Sequence, residues 1–276
     1  MDKEAYFIKQ ISNNNSTYIG DDGVVIGKYV YSMDAFCENV HFKTQWLSLK
    51  QIAQKAMLIN ISDAIVMNAK PLYALISIAI PSNYTKKQLK QLAKGFKSVA
   101  KKYNISIIGG DTISNTKLDI SITIISTTTK PIYRKGTKSG DMICYTGNLG
   151  NCKKDLKKLF NNKKISKNSK FIKPKLNDKF FYDISPYISA ALDISDGLFF
   201  ELERLSKINK IDFNFFKPIA KNTGCSGEEY EILFSFNPKN KKIIKNIAKK
   251  YNLKLNIFAK ATKGKYKNKC KGHHFR

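Results

Sequence analysis

The chain has 276 residues, 42% of them hydrophobic, which allows one large or two ordinary domains with apolar cores. Lys and Arg number 49 against 21 acids, and the formal net charge of +28 is compatible with a nucleic-acid or membrane surface. Because the lysines are spread through a chain that is also rich in Asn and Ile, we interpret the charge first as a compositional bias. No apolar run is long enough to span a bilayer, and we expect no signal peptide.

The cysteines and the densest lysine stretch bear on the cellular compartment and on nucleic-acid binding. The five cysteines contain no CxxC pair and are odd in number, which predicts reduced thiols in a cytoplasmic protein. Residues 153–175 are dense in lysine but lack the interleaved aromatic residues of a single-strand binder. We therefore do not expect a nucleic-acid partner.

The first half of the chain predicts an α/β or α+β domain with mixed strand pairing. Ser48 resembles a helix N-cap, and Pro71 sets the limit of the helix that follows it. That helix places Asn60 and Asp63 on its apolar face, where a carboxylate needs a partner or a metal. The predicted elements are a hairpin over residues 24–33, helices over 48–69 and 85–103, and strands over 72–80, 105–108 and 118–126.

The second half predicts a further α/β domain, and we place the boundary between residues 1–135 and 136–276. Its lysine-rich segment is expected to be partly helical and partly loop. A strand over 190–193 runs into the Asp-Ile-Ser-Asp-Gly turn. The remaining predicted elements are strands over 142–146, 230–236 and 253–259 and helices over 197–209 and 239–251.

Aspartates beside Ser, Thr or Gly recur near the ends of apolar runs in this acid-poor chain. The strand that begins at Ile105 runs into Gly109, Gly110 and Asp111. We expect this strand to be buried and Asp111 to stand at its carboxyl end, where open sheets place ligands. The similar aspartates are Asp22, Asp34, Asp63, Asp193 and Asp196.

These aspartates indicate oxygen ligation of Mg²⁺. The sequence has no Walker motif, no GxGxxG after a strand, and only three histidines. Two carboxylates ~4 Å apart repel by roughly 4 kcal/mol at an effective dielectric constant of ~20, so a converging set needs cations or raised pKa values. The alternative is that each aspartate is an ordinary turn or cap residue.

Taken together, the motifs resemble those of thiamine-monophosphate kinases, which belong to a superfamily with aminoimidazole ribonucleotide synthase. The resemblance covers nearly the whole chain. The motifs, in order, are Tyr18-Ile19-Gly20-Asp21-Asp22, Ser32-Met33-Asp34, Val40-His41-Phe42, Asn60-Ile61-Ser62-Asp63-Ala64, Gly109-Gly110-Asp111-Thr112, Asp193-Ile194-Ser195-Asp196-Gly197 and Ser226-Gly227-Glu228-Glu229-Tyr230-Glu231.

The resemblance implies a role for each matching residue. The implied metal ligands are Asp22, Ser32, Met33, Asp34, Asp63, Asp111, Asp193 and Asp196, of which Asp34, Asp63, Asp111 and Asp193 are the catalytic set. The implied ATP contacts are Gly110, Asp111, Arg134 and Ser195, and the implied substrate contacts are His41, Glu228 and His273. Three positions depart from the family, because Met33 replaces a hydroxyl residue, Glu229 replaces Asp, and His273 replaces Trp or Tyr.

The resemblance also implies a fold, partners and a reaction. Residues 1–135 would bind metal and nucleotide, and their mixed sheet would pack with that of a second subunit into a barrel. Residues 136–276 would form a C-terminal α/β domain. A cytoplasmic homodimer would transfer phosphate from ATP to thiamine monophosphate with the help of several Mg²⁺ ions. The alternatives are another ATP-using member of the superfamily and a basic nucleic-acid-binding protein.

Overall fold

The computed structural model describes residues 3–12, 18–268 and 270 of the chain. Its helices are α1 (Lys3–Ile11), α2 (Leu49–Val66), α3 (Lys86–Tyr103), α4 (Asn151–Phe160), α5 (Asp178–Ile184), α6 (Leu198–Asn209), α7 (Lys221–Gly224) and α8 (Lys241–Lys250). Its strands are β1 (Val24–Ile26), β2 (Tyr29–Cys37), β3 (Lys70–Pro81), β4 (Ser106–Asn115), β5 (Asp119–Thr127), β6 (Met142–Thr146), β7 (Ala190–Asp193), β8 (Ile211–Phe215), β9 (Ile232–Phe236) and β10 (Leu255–Lys263).

The first sheet has the order β1-β2-β5-β3-β4 and is mixed, as predicted. Strand β3 pairs antiparallel with β5 and parallel with β4, which lies at the edge. Helix α2 packs on this sheet and α3 packs on α2. Gly95 makes the second contact possible, because a Cβ there would lie 2.5 Å from the Lys50 carbonyl oxygen and 2.6 Å from the Ala53 Cβ.

The second sheet has the order β7-β9-β6-β10-β8, and all its strand pairs are antiparallel. One apolar cluster joins it to the first sheet, since Ile61 of α2 and Ile122 of β5 belong to the same core as Phe180 and Phe234. The domain boundary at residues 135 and 136 therefore stays a prediction. No helix in the described ranges is long and apolar enough to cross a bilayer.

The two long helices begin where the sequence predicts. The Ser48 hydroxyl accepts a hydrogen bond from the Gln51 backbone N–H, and the Gln51 side chain accepts one from the Ser48 N–H. Thr85 and Gln88 form the same capping box at α3. These reciprocal bonds satisfy donors that a helix terminus otherwise leaves free.

Three expectations about strands were wrong. Strand β4 is exposed along its whole length rather than buried, because it lies at the sheet edge and no described element covers it. Asp111 lies inside β4 and not at its carboxyl end. Asp34 likewise lies inside β2, which continues to Cys37.

The expectation that all the cysteines are reduced was also wrong, because Cys225 and Cys270 form a disulfide. The two residues are 45 positions apart, so no local spacing marks them as a pair. Cys37, Cys144 and Cys152 are free thiols. Cys225 directly follows α7 and begins the loop that carries Glu228. The disulfide therefore ties this loop to the end of the described chain.

This cross-link predicts a measurable loss of stability on reduction. Closing a loop of this length stabilises a protein by about 2–4 kcal/mol, so a reductant should lower the Tm by roughly 5–10 °C. Thermal unfolding with and without reductant measures the effect, and the Cys270→Ser variant is the control. An equal reductant effect on wild type and Cys270→Ser would show that the disulfide contributes nothing.

Candidate active site

Three carboxylates from distant parts of the chain converge between the two sheets. Oxygen atoms of Asp22, Asp63 and Asp193 all lie within 4.8 Å of one another. Asp63 comes from α2, Asp193 ends β7, and Asp22 precedes β1. Asp63 is 8% exposed and Asp193 is 3% exposed. Asp63 thus lies on the buried face of α2, as its helical spacing predicts.

The turn of α2 that carries Asp63 also orients the neighbouring acids. The Ser62 hydroxyl donates to Asp193 Oδ2 at 2.6 Å. Asn60 is fully buried, and its Oδ1 accepts from the Asp34 backbone N–H at 2.7 Å. The Asn60 Nδ2 donates to the Ala56 carbonyl at 2.9 Å, which fixes the orientation of the amide. One helical turn therefore supplies one carboxylate and aligns two others.

The electrostatics of this cluster favour protons or cations. Burial raises the pKa of Asp63 well above its usual value, and the charges of Asp34 and Asp193 raise it further. Burial also raises the pKa of Asp193, as does the Asp22 charge, while the Ser62 hydrogen bond opposes the shift. Buried carboxylates that repel one another in this way suit a hard cation with oxygen ligands.

Arg134 lies beside the cluster and binds Asp21 and Asp22, which precede β1. Its Nη2 contacts Asp22 Oδ1 at 2.6 Å and its Nε donates to Asp22 Oδ2 at 3.2 Å, which makes a two-pronged pair. Its backbone N–H donates to Asp21 Oδ1 at 2.6 Å. The Asn209 side chain in turn donates to the Arg134 carbonyl at 2.8 Å. A guanidinium held in this way next to carboxylates is suited to phosphate oxygens.

The two loops of the second sheet that carry motif residues are joined by backbone hydrogen bonds. The Glu228 N–H donates to the Ser195 carbonyl at 2.6 Å, and the Tyr230 N–H donates to the Ile194 carbonyl at 2.9 Å. Asp196 turns to Arg204, at 2.6 Å, and not into the aspartate trio. The metal role of Asp196 and the ATP role of Ser195 stay predictions.

The predicted substrate residues His41 and Glu228 are linked through Phe36 and Lys55. The His41 ring stacks on Phe36 with centroids 5.6 Å apart, and its Nδ1 accepts from the Cys37 N–H at 2.9 Å. Lys55 Nζ lies 5.6 Å from the same Phe36 ring and 2.6 Å from Glu228 Oε2. His41 and Glu228 therefore lie on two sides of the buried Phe36 and Lys55 side chains.

Other predicted residues lie elsewhere in the single chain. Asp111 and Gly110 lie on β4, with β3 and β5 between them and the Asp34 strand. Gly110 is required for packing, because a Cβ there would lie 1.8 Å from the Ile76 carbonyl oxygen. Met33 is 63% exposed and alternates with Ser32 and Asp34, so its side chain faces away from theirs. His273 lies outside the described residues.

The sequence reasoning missed three residues of this region. Lys55 is fully buried beside Glu228, and Tyr230 donates to Glu228 Oε1 at 3.3 Å. Burial raises the pKa of Tyr230 well above its usual value, and the charges of Glu228, Asp34 and Asp193 add to the shift. Ser62 is the third. All three lie inside recognised motifs or helices, but only the tertiary fold reveals their partners.

The chain is similar to known proteins over most of its length. Residues 20–128 match the family of AIR synthase related protein, N-terminal domain. The thiamine-monophosphate kinase of Buchnera aphidicola subsp. Schizaphis graminum is 32% identical over 267 residues, covering 86% of this chain and 81% of that protein. The thiamine-monophosphate kinase of Nitrosopumilus maritimus is 31% identical over 238 residues, covering 79% and 77%. The structure of AaThiL complexed with AMPPCP and TMP matches 99% of this chain and 96% of its own, with a TM-score of 0.86 and 21% identity, and so shares the fold.

The repulsion between the buried carboxylates predicts that Asp63→Asn stabilises the metal-free protein. Because the pKa of Asp63 is raised in the folded state, the folded protein binds more protons than the unfolded chain does above about pH 4. The free energy of unfolding therefore falls as the pH rises from about 4 through the raised pKa. In EDTA at pH 8, Asp63→Asn should therefore have a higher Tm than wild type.

The difference should narrow as the pH falls towards 4, because wild-type Asp63 then binds its proton. Addition of Mg²⁺ should raise the Tm of wild type and have little effect on the variant. A variant less stable than wild type at pH 8 in EDTA would show that repulsion does not dominate at this site. Differential scanning fluorimetry across pH, with and without Mg²⁺, makes both measurements.

Proposed function

The chain belongs to the thiamine-monophosphate kinase family, and we propose that it transfers the γ-phosphoryl group of ATP to thiamine monophosphate, giving thiamine diphosphate and ADP. The observation that carries the proposal is the convergence of Asp22, Asp63 and Asp193 beside Arg134. This arrangement suits the handling of two polyanions. The fold shared with AaThiL complexed with AMPPCP and TMP supports it.

The acidic trio fits Mg²⁺, since its carboxylate oxygens lie close together and two of the three side chains repel while buried. We propose that Asp22, Asp63 and Asp193 hold Mg²⁺, with Asp34 and Ser32 next to them. Bound Mg²⁺ neutralises phosphate charge and stabilises the transferring phosphoryl group. Arg134 would bind phosphate oxygens from the Asp22 side of the cluster.

The reaction needs no strong general base. The nucleophile is a phosphate monoester oxygen, which is largely ionised at pH 7 because the second pKa of such a group is about 6. This agrees with a cluster that contains carboxylates and an arginine. The residues would therefore act mainly by binding and aligning the two substrates in line.

We propose that Glu228 and His41 bind the organic part of thiamine monophosphate. Glu228 has a φ of +60° and Tyr230 a φ of +48°, both in the left-handed region that non-glycine residues rarely adopt. Such conformations cluster where a loop is held in place for a ligand. The His41 ring, stacked on Phe36, offers a flat face at the same place.

We further propose a homodimer in which the two N-terminal sheets close a barrel. Strand β4 exposes Ile107, Ile108 and Ile113 along an unpaired edge. Strand β1 pairs only with Tyr29–Tyr31 of β2, so within the described ranges residues 32–37 lack a strand partner on that side. Pairing β4 of one copy with this part of β2 in the other would join four strands from each copy into an eight-stranded barrel and cover both edges.

This dimer would also explain the separation of Asp111 from the trio. Within one chain Asp111 lies three strand spacings, about 14 Å, from β2, whereas β4 of a second copy would lie about 5 Å from it. We propose that Asp111 and Gly110 serve the site of the partner copy. We also propose a cytoplasmic location, as the resemblance to thiamine-monophosphate kinases implies.

The substrate assignment is tested by ADP release with alternative acceptors. Thiamine monophosphate should support ATP-dependent ADP release that requires Mg²⁺, whereas thiamine and aminoimidazole precursors offered in parallel should not. Thiamine lacks the phosphate nucleophile, so it controls for binding of the organic part. ADP release with an aminoimidazole precursor alone would identify another superfamily activity in place of the proposed kinase.

The shared site is tested by subunit complementation. Asp111→Asn and Asp193→Asn should each abolish turnover and leave the fold intact. In co-refolded mixtures half the dimers are mixed, and each mixed dimer has one site with both aspartates, so activity should return to about a quarter of wild type. Refolding each variant alone is the control. A mixture without activity would place Asp111 in the site of its own subunit or outside the site.

A further inference from the structure

Lys55 is a fully buried lysine on α2 whose described salt bridge is with Glu228. Its Nζ lies 2.6 Å from Glu228 Oε2 and 4.0 Å from the centroid of the Phe171 ring. Among the described residues, neither Nζ nor that Oε2 has a hydrogen-bond partner of good geometry. Lysine is almost never fully buried unless it is paired, so the position of each charge depends on the other.

The pair joins the two halves of the chain at the proposed acceptor site. Lys55 lies two helical turns before Asp63, while Glu228 comes from the loop after α7. The Glu228 backbone is fixed by its N–H bond to the Ser195 carbonyl and by its left-handed φ. The backbone contacts thus fix the position of the Glu228 Cα, and Lys55 fixes the position of the Glu228 carboxylate.

The Glu228 carboxylate can accept further hydrogen bonds on the side away from Lys55. The Glu228 side chain is 25% exposed, and its Oε1 receives only a long bond, 3.3 Å, from the Tyr230 hydroxyl. Because Lys55 balances the Glu228 charge, the pair as a unit is neutral. Such a unit recognises neutral N–H donors by hydrogen bonding better than it recognises a cation by charge.

We propose that Lys55 is a positioning residue for the acceptor substrate, which holds the Glu228 carboxylate as a hydrogen-bond acceptor for the amino group of the aminopyrimidine. The thiazolium charge is not its target. This inference rests on the proposed function for the identity of the ligand, but the dependence of the Glu228 side chain on Lys55 does not.

The first test compares Lys55→Met with wild type. Methionine keeps most of the volume and removes the charge, so the Glu228 carboxylate loses its partner. The KM for thiamine monophosphate should rise roughly 10- to 100-fold, while the KM for ATP stays within about twofold. Lys50→Met, at an exposed position of the same helix, is the matched control and should match wild type.

A double-mutant cycle separates positioning from a structural role. If Lys55 acts through Glu228, the double variant Lys55→Met/Glu228→Gln should have the same KM for thiamine monophosphate as Glu228→Gln alone. A merely structural role would add its loss in both backgrounds, raise both KM values and lower the Tm. Additive losses, or an unchanged KM for thiamine monophosphate in Lys55→Met, would overturn the proposal.

A crystal structure of Lys55→Met keeps this inference distinct from the kinase assignment. The Glu228 carboxylate should move from its wild-type position or lose order, whatever the substrate is. If wild type fails to phosphorylate thiamine monophosphate but Glu228 moves in the variant, the assigned substrate is wrong and the positioning role stands. If Glu228 stays in place in the variant, the positioning role is wrong even in an active kinase.

Discussion

The repulsion between buried carboxylates at the junction of the two sheets is the constraint around which this structure is arranged. Asp63 arrives on a helix packed on the first sheet and Asp193 on a strand of the second. At a separation of ~4 Å and an effective dielectric constant of ~20, such a pair repels by roughly 4 kcal/mol. The apolar core that joins the two sheets has to offset this cost, unless protons or cations remove it. The proposed Mg²⁺ would remove this repulsion at the junction.

The basic side chains near the junction pair with the outer acids. Arg134 binds Asp22, Arg204 binds Asp196, and Lys55 binds Glu228. No described salt bridge involves Asp63 or Asp193. The fixed cations thus hold the rim of the site in place, and Asp63 and Asp193 have no fixed cation as a partner among the described salt bridges, which leaves them available to an exchangeable one. This division keeps Arg134 next to the position where phosphate oxygens would meet the metal.

The sequence predicts the features that depend on local pattern. Helical spacing identifies the buried position of Asp63, and the Ser48 and Thr85 capping boxes mark the starts of their helices. It does not predict the exposure of β4, because an apolar strand at an exposed sheet edge has the same residue pattern as one in the centre of a sheet. It does not reveal the role of Lys55 among 49 basic residues either, because its partner Glu228 lies far away along the chain and meets it only in the tertiary fold. The Cys225–Cys270 pair was missed for the same reason, as its members meet only in the tertiary fold.

The net charge of +28 and the acidic site act over different distances. The positive field of the whole surface favours the approach of polyanions such as ATP, and salt screens it beyond about 8 Å at physiological ionic strength. Inside the site the ionised form of the clustered carboxylates opposes this field, so an incoming phosphate would be repelled unless it arrived with a divalent cation. With the proposed metal in place, a basic surface around an acidic centre would therefore favour metal-bound over free nucleotide at the last step of binding. The excess of lysine, whatever its compositional origin, would then speed the encounter with anionic substrates without taking part in the chemistry.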